Sequence, residues 1–150
     1  MTSAVLFDKT MTHNLVLFVQ RLMTAWNSHE LEQVLPYYAL EYEGTDIGYP
    51  EPQYGIEGIR NLLIGYWNAF PDLEFTLQGT IVESDSIALT WIAQGTHHGP
   101  ILNIPPTGHR VRINGVSILQ IRNGLVLRAQ HIWDLAGMLR SLGLLPDFRI

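Results

Sequence analysis

The chain has 150 residues, 47% of them apolar and 15% charged, with nine Lys/Arg against fourteen Asp/Glu and a net charge of −5. That length suits one domain around one sizeable core, and the acidic balance, with Lys9 as the single lysine, excludes a basic nucleic-acid surface. High apolar content without like-charge runs excludes disorder, and the absence of cysteine removes disulfides, thiolate nucleophiles and Cys-based metal sites.

No repeat or linker divides the chain, so residues 1–150 are read as one domain, with 1–11 expected as a loose N-terminus. The longest wholly apolar run near the N-terminus, Leu15 to Val19, is five residues long, far short of the roughly 20 that span a bilayer. Nothing before it has the form of a secretion signal, and the expectation is a cytoplasmic protein with no membrane partner. Leu15, Phe18, Val19, Leu22, Met23 and Trp26 recur at helical spacing and predict an amphipathic helix. Asn27 and Ser28 interrupt it, and Ser28 is placed to cap a short second helix that ends near Pro36. Residues 40–45 alternate weakly, as a short strand would, and Gly48 to Gly55 reads as loop. A third helical face, Ile59, Leu62, Leu63, Tyr66 and Phe70, stops at Pro71-Asp72.

Beyond Pro71 the apolar period falls from 3.6 to 2. Strands are expected over Leu73–Glu83, Ile87–His97, His109–Arg122 and Leu125–Trp133. Ser84-Asp85 and Asn123-Gly124 serve as turns, and a Pro/Gly loop, stiffened by Pro105-Pro106, covers Gly99–Gly108. A last short helix runs from Leu135 to Leu142, with Gly143 as its C′ residue. Helices followed by long antiparallel strands give an α+β fold, in which a bent antiparallel sheet wraps on three N-terminal helices and leaves an internal apolar pocket.

No phosphate-loop, GxGxxG, HExxH or GxSxG motif is present. The neighbouring His97 and His98 point to opposite faces of a strand and cannot chelate together, so neither a metal nor a cofactor is expected. Chemistry would fall to acid–base groups. His131 alternates with Ala129 and Leu127 and belongs to the cavity face, as a base or as a packed core histidine. Asp134 lies three residues on and is either a second acid–base group or the N-cap of the last helix. His97 shares a strand face with Trp91, and Ser117 with Gly115 and Leu119; all three are candidate substrate contacts. Tyr66 and Trp67 cradle a ligand or simply fill the core.

The string Gly95-Thr96-His97-His98-Gly99 and the loop Ile104-Pro105-Pro106-Thr107-Gly108 come in a distinctive order. They are joined by Phe70-Pro71-Asp72, Arg122-Asn123-Gly124, Trp133-Asp134 and Leu139-Arg140-Ser141-Leu142-Gly143. From about Trp26 to Gly143 the chain resembles the SnoaL-like polyketide cyclases. The resemblance implies an NTF2-like cone around a hydrophobic pocket, commonly a homodimer, and a cofactor-free intramolecular aldol closure or related enolisation. In the anthracycline cyclases of that family an Asp seven residues past the hairpin Gly is the acid–base, and a His stands seven before it. Counted from Gly124, those positions hold His131 and Ser117 here.

Three functions follow as expectations. The first is a cofactor-independent cyclase-like or isomerase-like enzyme acting on a small hydrophobic carbonyl compound. In it His131 is the base, and His97, Ser117 or Asp134 holds the developing oxyanion. The second is a non-catalytic hydrophobic-ligand-binding or dimerising module on the same cone. The third is an epoxide hydrolase-like activity, which needs an Asp–Arg–Asp cluster and an inward arginine that the pattern does not supply. Val116 and Ile118, on the strand face opposite Ser117, predict a homodimer packed through the sheet.

Overall fold

The computed structural model describes the backbone of residues 2–148 and the side chains of residues 9–148. Helix α1 spans Thr2–Ser28, so residues 2–11, expected as a loose N-terminus, continue the helix. Its buried stripe is Val19, Leu22, Ala25 and Trp26. His29, at φ +58°, turns the chain into α2, Leu31–Val34. Ser28 does not cap α2: its Oγ donates to Ala25 O and accepts from the Glu30 amide, while Glu30 occupies the cap position without a side-chain bond to a backbone amide of the helix. Pro36 stands inside a 3-10 turn, Leu35–Tyr37.

Strand β1 covers Tyr38–Asp46, longer than its weak alternation predicts. The expected loop after it contains a two-residue strand, β2, Gln53–Tyr54. Helix α3, Gly55–Ala69, buries Ile59, Leu62, Leu63 and Ala69. The long strands are β3, Glu74–Glu83; β4, Ser86–Thr96; β5, Arg110–Arg122; and β6, Leu125–Trp133. The β5–β6 turn places Asn123 and Gly124 at φ +52° and +74°, the left-handed pair that a two-residue hairpin requires. Helix α4, Leu135–Ser141, is capped by Asp134 Oδ1, which accepts from the Gly137 amide. Bonds from Gly143 N to Arg140 O and from Leu144 N to Leu139 O close its other end.

The sheet has six strands in the order β2-β1-β6-β5-β4-β3. It is mixed and not purely antiparallel as expected, because β1 runs parallel to β6. The alternation of a single strand reports which face is buried and carries no information about the direction of its neighbour. Irregularities between Leu77 and Gly79 and between Gln120 and Ile121 interrupt the ladder, and such bulges bend strands. The four helices and the sheet thus form an α+β domain. Helix α1 is tied to β3 by the Asn27 amide, which donates to Phe75 O at 2.9 Å and accepts from Phe75 N at 2.8 Å. Among the described residues no helix is long and apolar enough to cross a membrane.

Candidate active site

The apolar faces of α1, α3 and the sheet line a partly open cavity of about 80 Å³. The walls are mostly aliphatic and aromatic side chains. Apart from Gln94 on β4, the polar exceptions gather at the meeting of β1, β5 and β6, beside the Tyr66 hydroxyl of α3.

Asp46, the last residue of β1, is the one carboxylate lining the cavity among the described residues, and its Cα pairs with that of His131 across β6. Its Oδ1 accepts from the Tyr66 hydroxyl at 2.6 Å, from the Trp133 indole at 3.0 Å and from the Gly48 amide at 2.8 Å. Gly48 is required there: a Cβ would lie 2.6 Å from the Tyr66 oxygen and 2.9 Å from the Trp133 ring. Burial, and then the Asp46 charge, push the Tyr66 hydroxyl far above its ordinary value, so Tyr66 stays a donor. All three bonds fall on Oδ1 and none on Oδ2.

His131 belongs to a second chain of bonds. Its Nδ1 lies 2.7 Å from Ser117 Oγ, which also accepts from the Trp91 indole at 3.0 Å. Its Nε2 is buried without a partner. Burial lowers the His131 pKa, with the Asp46 charge opposing; the net direction leaves a neutral imidazole near pH 7.

Of the residues singled out in the sequence, His131, Ser117, Trp91 and Tyr66 line one cavity. His97, Asp134 and Trp67 do not. His97 is fully buried beside the loop that follows β4, where Nδ1 accepts from the Thr107 amide at 3.2 Å and meets Thr107 Oγ1 at 3.0 Å. It anchors that loop, because the strand's inward face passes under the loop before reaching the cavity. Asp134 is spent as the cap of α4. Trp67 turns away and stacks on His29 with ring centres 5.1 Å apart, since successive helix residues diverge by about 100°. Asp46 and Trp133 were missed. The available signal was an Asp ending the alternation of Tyr38, Tyr42 and Gly44, but its partner strand lies far along the chain. No cluster of three or more His, Asp or Glu suited to a metal occurs among the described residues, and no arginine lines the cavity.

A family model described as SnoaL-like polyketide cyclase matches residues 16–142. No curated protein matches the sequence. Among solved structures, TsrD from Streptomyces laurentii is 28% identical with a TM-score of 0.78, the match covering 87% of this chain and 96% of that one. IdmH from Streptomyces antibioticus, a proposed polyketide cyclase, is 25% identical at a TM-score of 0.73, covering 84% and 96%. AclR from Streptomyces galilaeus, a proposed hydroxylase, is 25% identical at 0.77, covering 89% and 87%. The shared architecture is the NTF2-like, ketosteroid isomerase-like fold.

Proposed function

This chain belongs to the SnoaL-like polyketide cyclase family, and from that membership we propose a cofactor-independent enolisation and intramolecular aldol closure of a small hydrophobic carbonyl compound. The observation that carries the reading is the pairing of Asp46 and His131 in one apolar cavity. Removal of a proton α to a carbonyl needs one group to take the proton and another to hold the oxygen as charge develops. In the step, the C–H pair becomes the enolate C=C and the carbonyl π pair moves to oxygen. The enolate carbon then bonds the second carbonyl carbon, whose oxygen receives the proton first removed. Atoms and electrons balance without a redox partner. Dry walls strengthen each charge interaction, and the cavity's size favours a compact substrate, or a larger one that enters partway.

The exposed outer face of the sheet supports a homodimer as part of the same reading. Ile118 and Ile132 are 41% and 52% exposed there, and Val116 pairs with Ile132 across β5–β6. A β-keto ester carrying a second carbonyl tests the enzymatic reading. Ring closure accelerated by the protein in the presence of a chelator is expected. Tight binding without turnover for aromatic, terpenoid and steroid-like ketones alike would favour a ligand-binding module.

A further inference from the structure

We propose that the cavity at Asp46 binds a compact protonated amine, with the carboxylate as counter-ion and the aromatic rings around it as a π-rich wall. The inference goes beyond the acid–base reading above, since it needs Asp46 to be charged and not to take a proton.

Asp46 is buried, 6% exposed, and no cation answers it. Among the described residues the ion pairs are Arg60 with Glu57 and Arg110 with Asp72, and neither Lys nor Arg lines the cavity. The three donors on Asp46, from Tyr66, Trp133 and Gly48, are all neutral. They satisfy one oxygen and leave the charge uncancelled. Its titratable neighbours feel that charge. Burial raises the pKa of the Tyr49 and Tyr66 phenols and Asp46 raises both further, while on His131 burial lowers the pKa and Asp46 opposes it. None of the three is a cation near pH 7. A carboxylate taken out of water costs free energy that a paired opposite charge offsets, and here a ligand can bring that charge.

The rest of the cavity narrows the ligand's chemistry. Three tryptophans, two tyrosines and two phenylalanines line it among the described residues. The indole N–H groups, which would attract an anion, are spent inside the protein. Trp26 donates to the Tyr38 hydroxyl at 3.1 Å, Trp91 to Ser117 Oγ at 3.0 Å and Trp133 to Asp46. Ring surface remains, and it attracts a cation. A carboxylate with no bond on Oδ2 remains as well. An ammonium N–H supplies a charge-assisted donor to it, and the alkyl part of the ligand fills the apolar walls. A neutral compound of the same shape gains those apolar contacts and at most a neutral hydrogen bond.

The test compares cyclopentylammonium with cyclopentanol, which share a carbon ring and a hydrogen-bond donor and differ in charge. Each is titrated into ¹⁵N-labelled protein at pH 7 and low salt, and the indole N–H signals of the four tryptophans are followed. Trp67 lies outside the cavity, so its signal, identified by its loss in Trp67→Phe, should stay while the others move. The ammonium should bind roughly tenfold tighter than the alcohol, or more, and in Asp46→Asn the two should bind about equally. An alcohol that binds as tightly as the ammonium in wild type, no binding of the ammonium, or a preference unchanged in Asp46→Asn overturns the proposal. If Asp46→Asn does not fold, the wild-type pair decides. The enzymatic reading fails separately, as a protein that prefers the ammonium yet accelerates no ring closure.

Discussion

Asp46 and His131 face each other across the parallel strands β1 and β6, yet each is held by a different set of donors. Tyr66, Trp133 and the Gly48 amide hold the carboxylate, while Ser117 holds the imidazole. The two groups are thus oriented independently inside one apolar room, an arrangement that suits two roles in one proton transfer.

Asp46→Asn keeps the size of the side chain and an oxygen for its three donors but removes the carboxylate, the group that takes the α-proton if the buried, neutral His131 holds the oxygen. Turnover should fall by roughly 10²–10⁴-fold. Thermal unfolding, followed on the same preparation, should show a folded protein. Retention of full activity would remove Asp46 from the chemistry.

The same substitution should move the titration of His131. Burial lowers its pKa and the Asp46 charge raises it in part, so deleting the charge leaves burial unopposed. In Asp46→Asn the ring should titrate at lower pH than in the wild type, as measured by the pH dependence of its nuclear magnetic resonance signals. An upward shift would contradict the assignment.

Stability should depend on pH in a definite direction. The folded pKa of His131 lies below its ordinary value of 6.5, so the unfolded chain binds the proton more readily. The contribution is therefore present above about pH 6.5 and is lost as pH falls toward the folded value. His97 is also lowered, chiefly by burial, and adds in the same sense. Melting temperature should fall from pH 7 to pH 5, and His131→Asn should flatten the slope.

Asp134→Ala separates a cap from a catalyst. Loss of the bond to the Gly137 amide should cost about 1 kcal/mol of stability, read from a denaturant midpoint. Turnover per folded molecule should stay within about twofold of wild type, a loss far smaller than that expected of a general acid or base.

Much of this arrangement was legible in the sequence. The Asn123-Gly124 turn and the alternation of Leu127, Ala129 and His131 place His131 on the inner face, and the same period places Trp91 and Ser117 there. What the local pattern could not show was partnership at a distance. Asp46 meets His131 only because β1 inserts beside β6 in parallel, a pairing between strands with no turn to join them. His97 obeys the alternation of β4 and is buried, as its face requires, but the Gly99–Gly108 loop covers it, and loop paths are not written in strand periodicity. Asp134 had two readings, an acid–base group or the cap of the helix it precedes, and its side chain is the cap.

The most direct test is the exchange of α-protons for deuterium in a compact hydrophobic β-keto ester held in D₂O with the protein, followed by proton nuclear magnetic resonance. The account predicts exchange faster than in buffer, reduced by roughly 10²–10⁴-fold in Asp46→Asn and also reduced in His131→Asn. Exchange at the same rate in wild type and Asp46→Asn would contradict it.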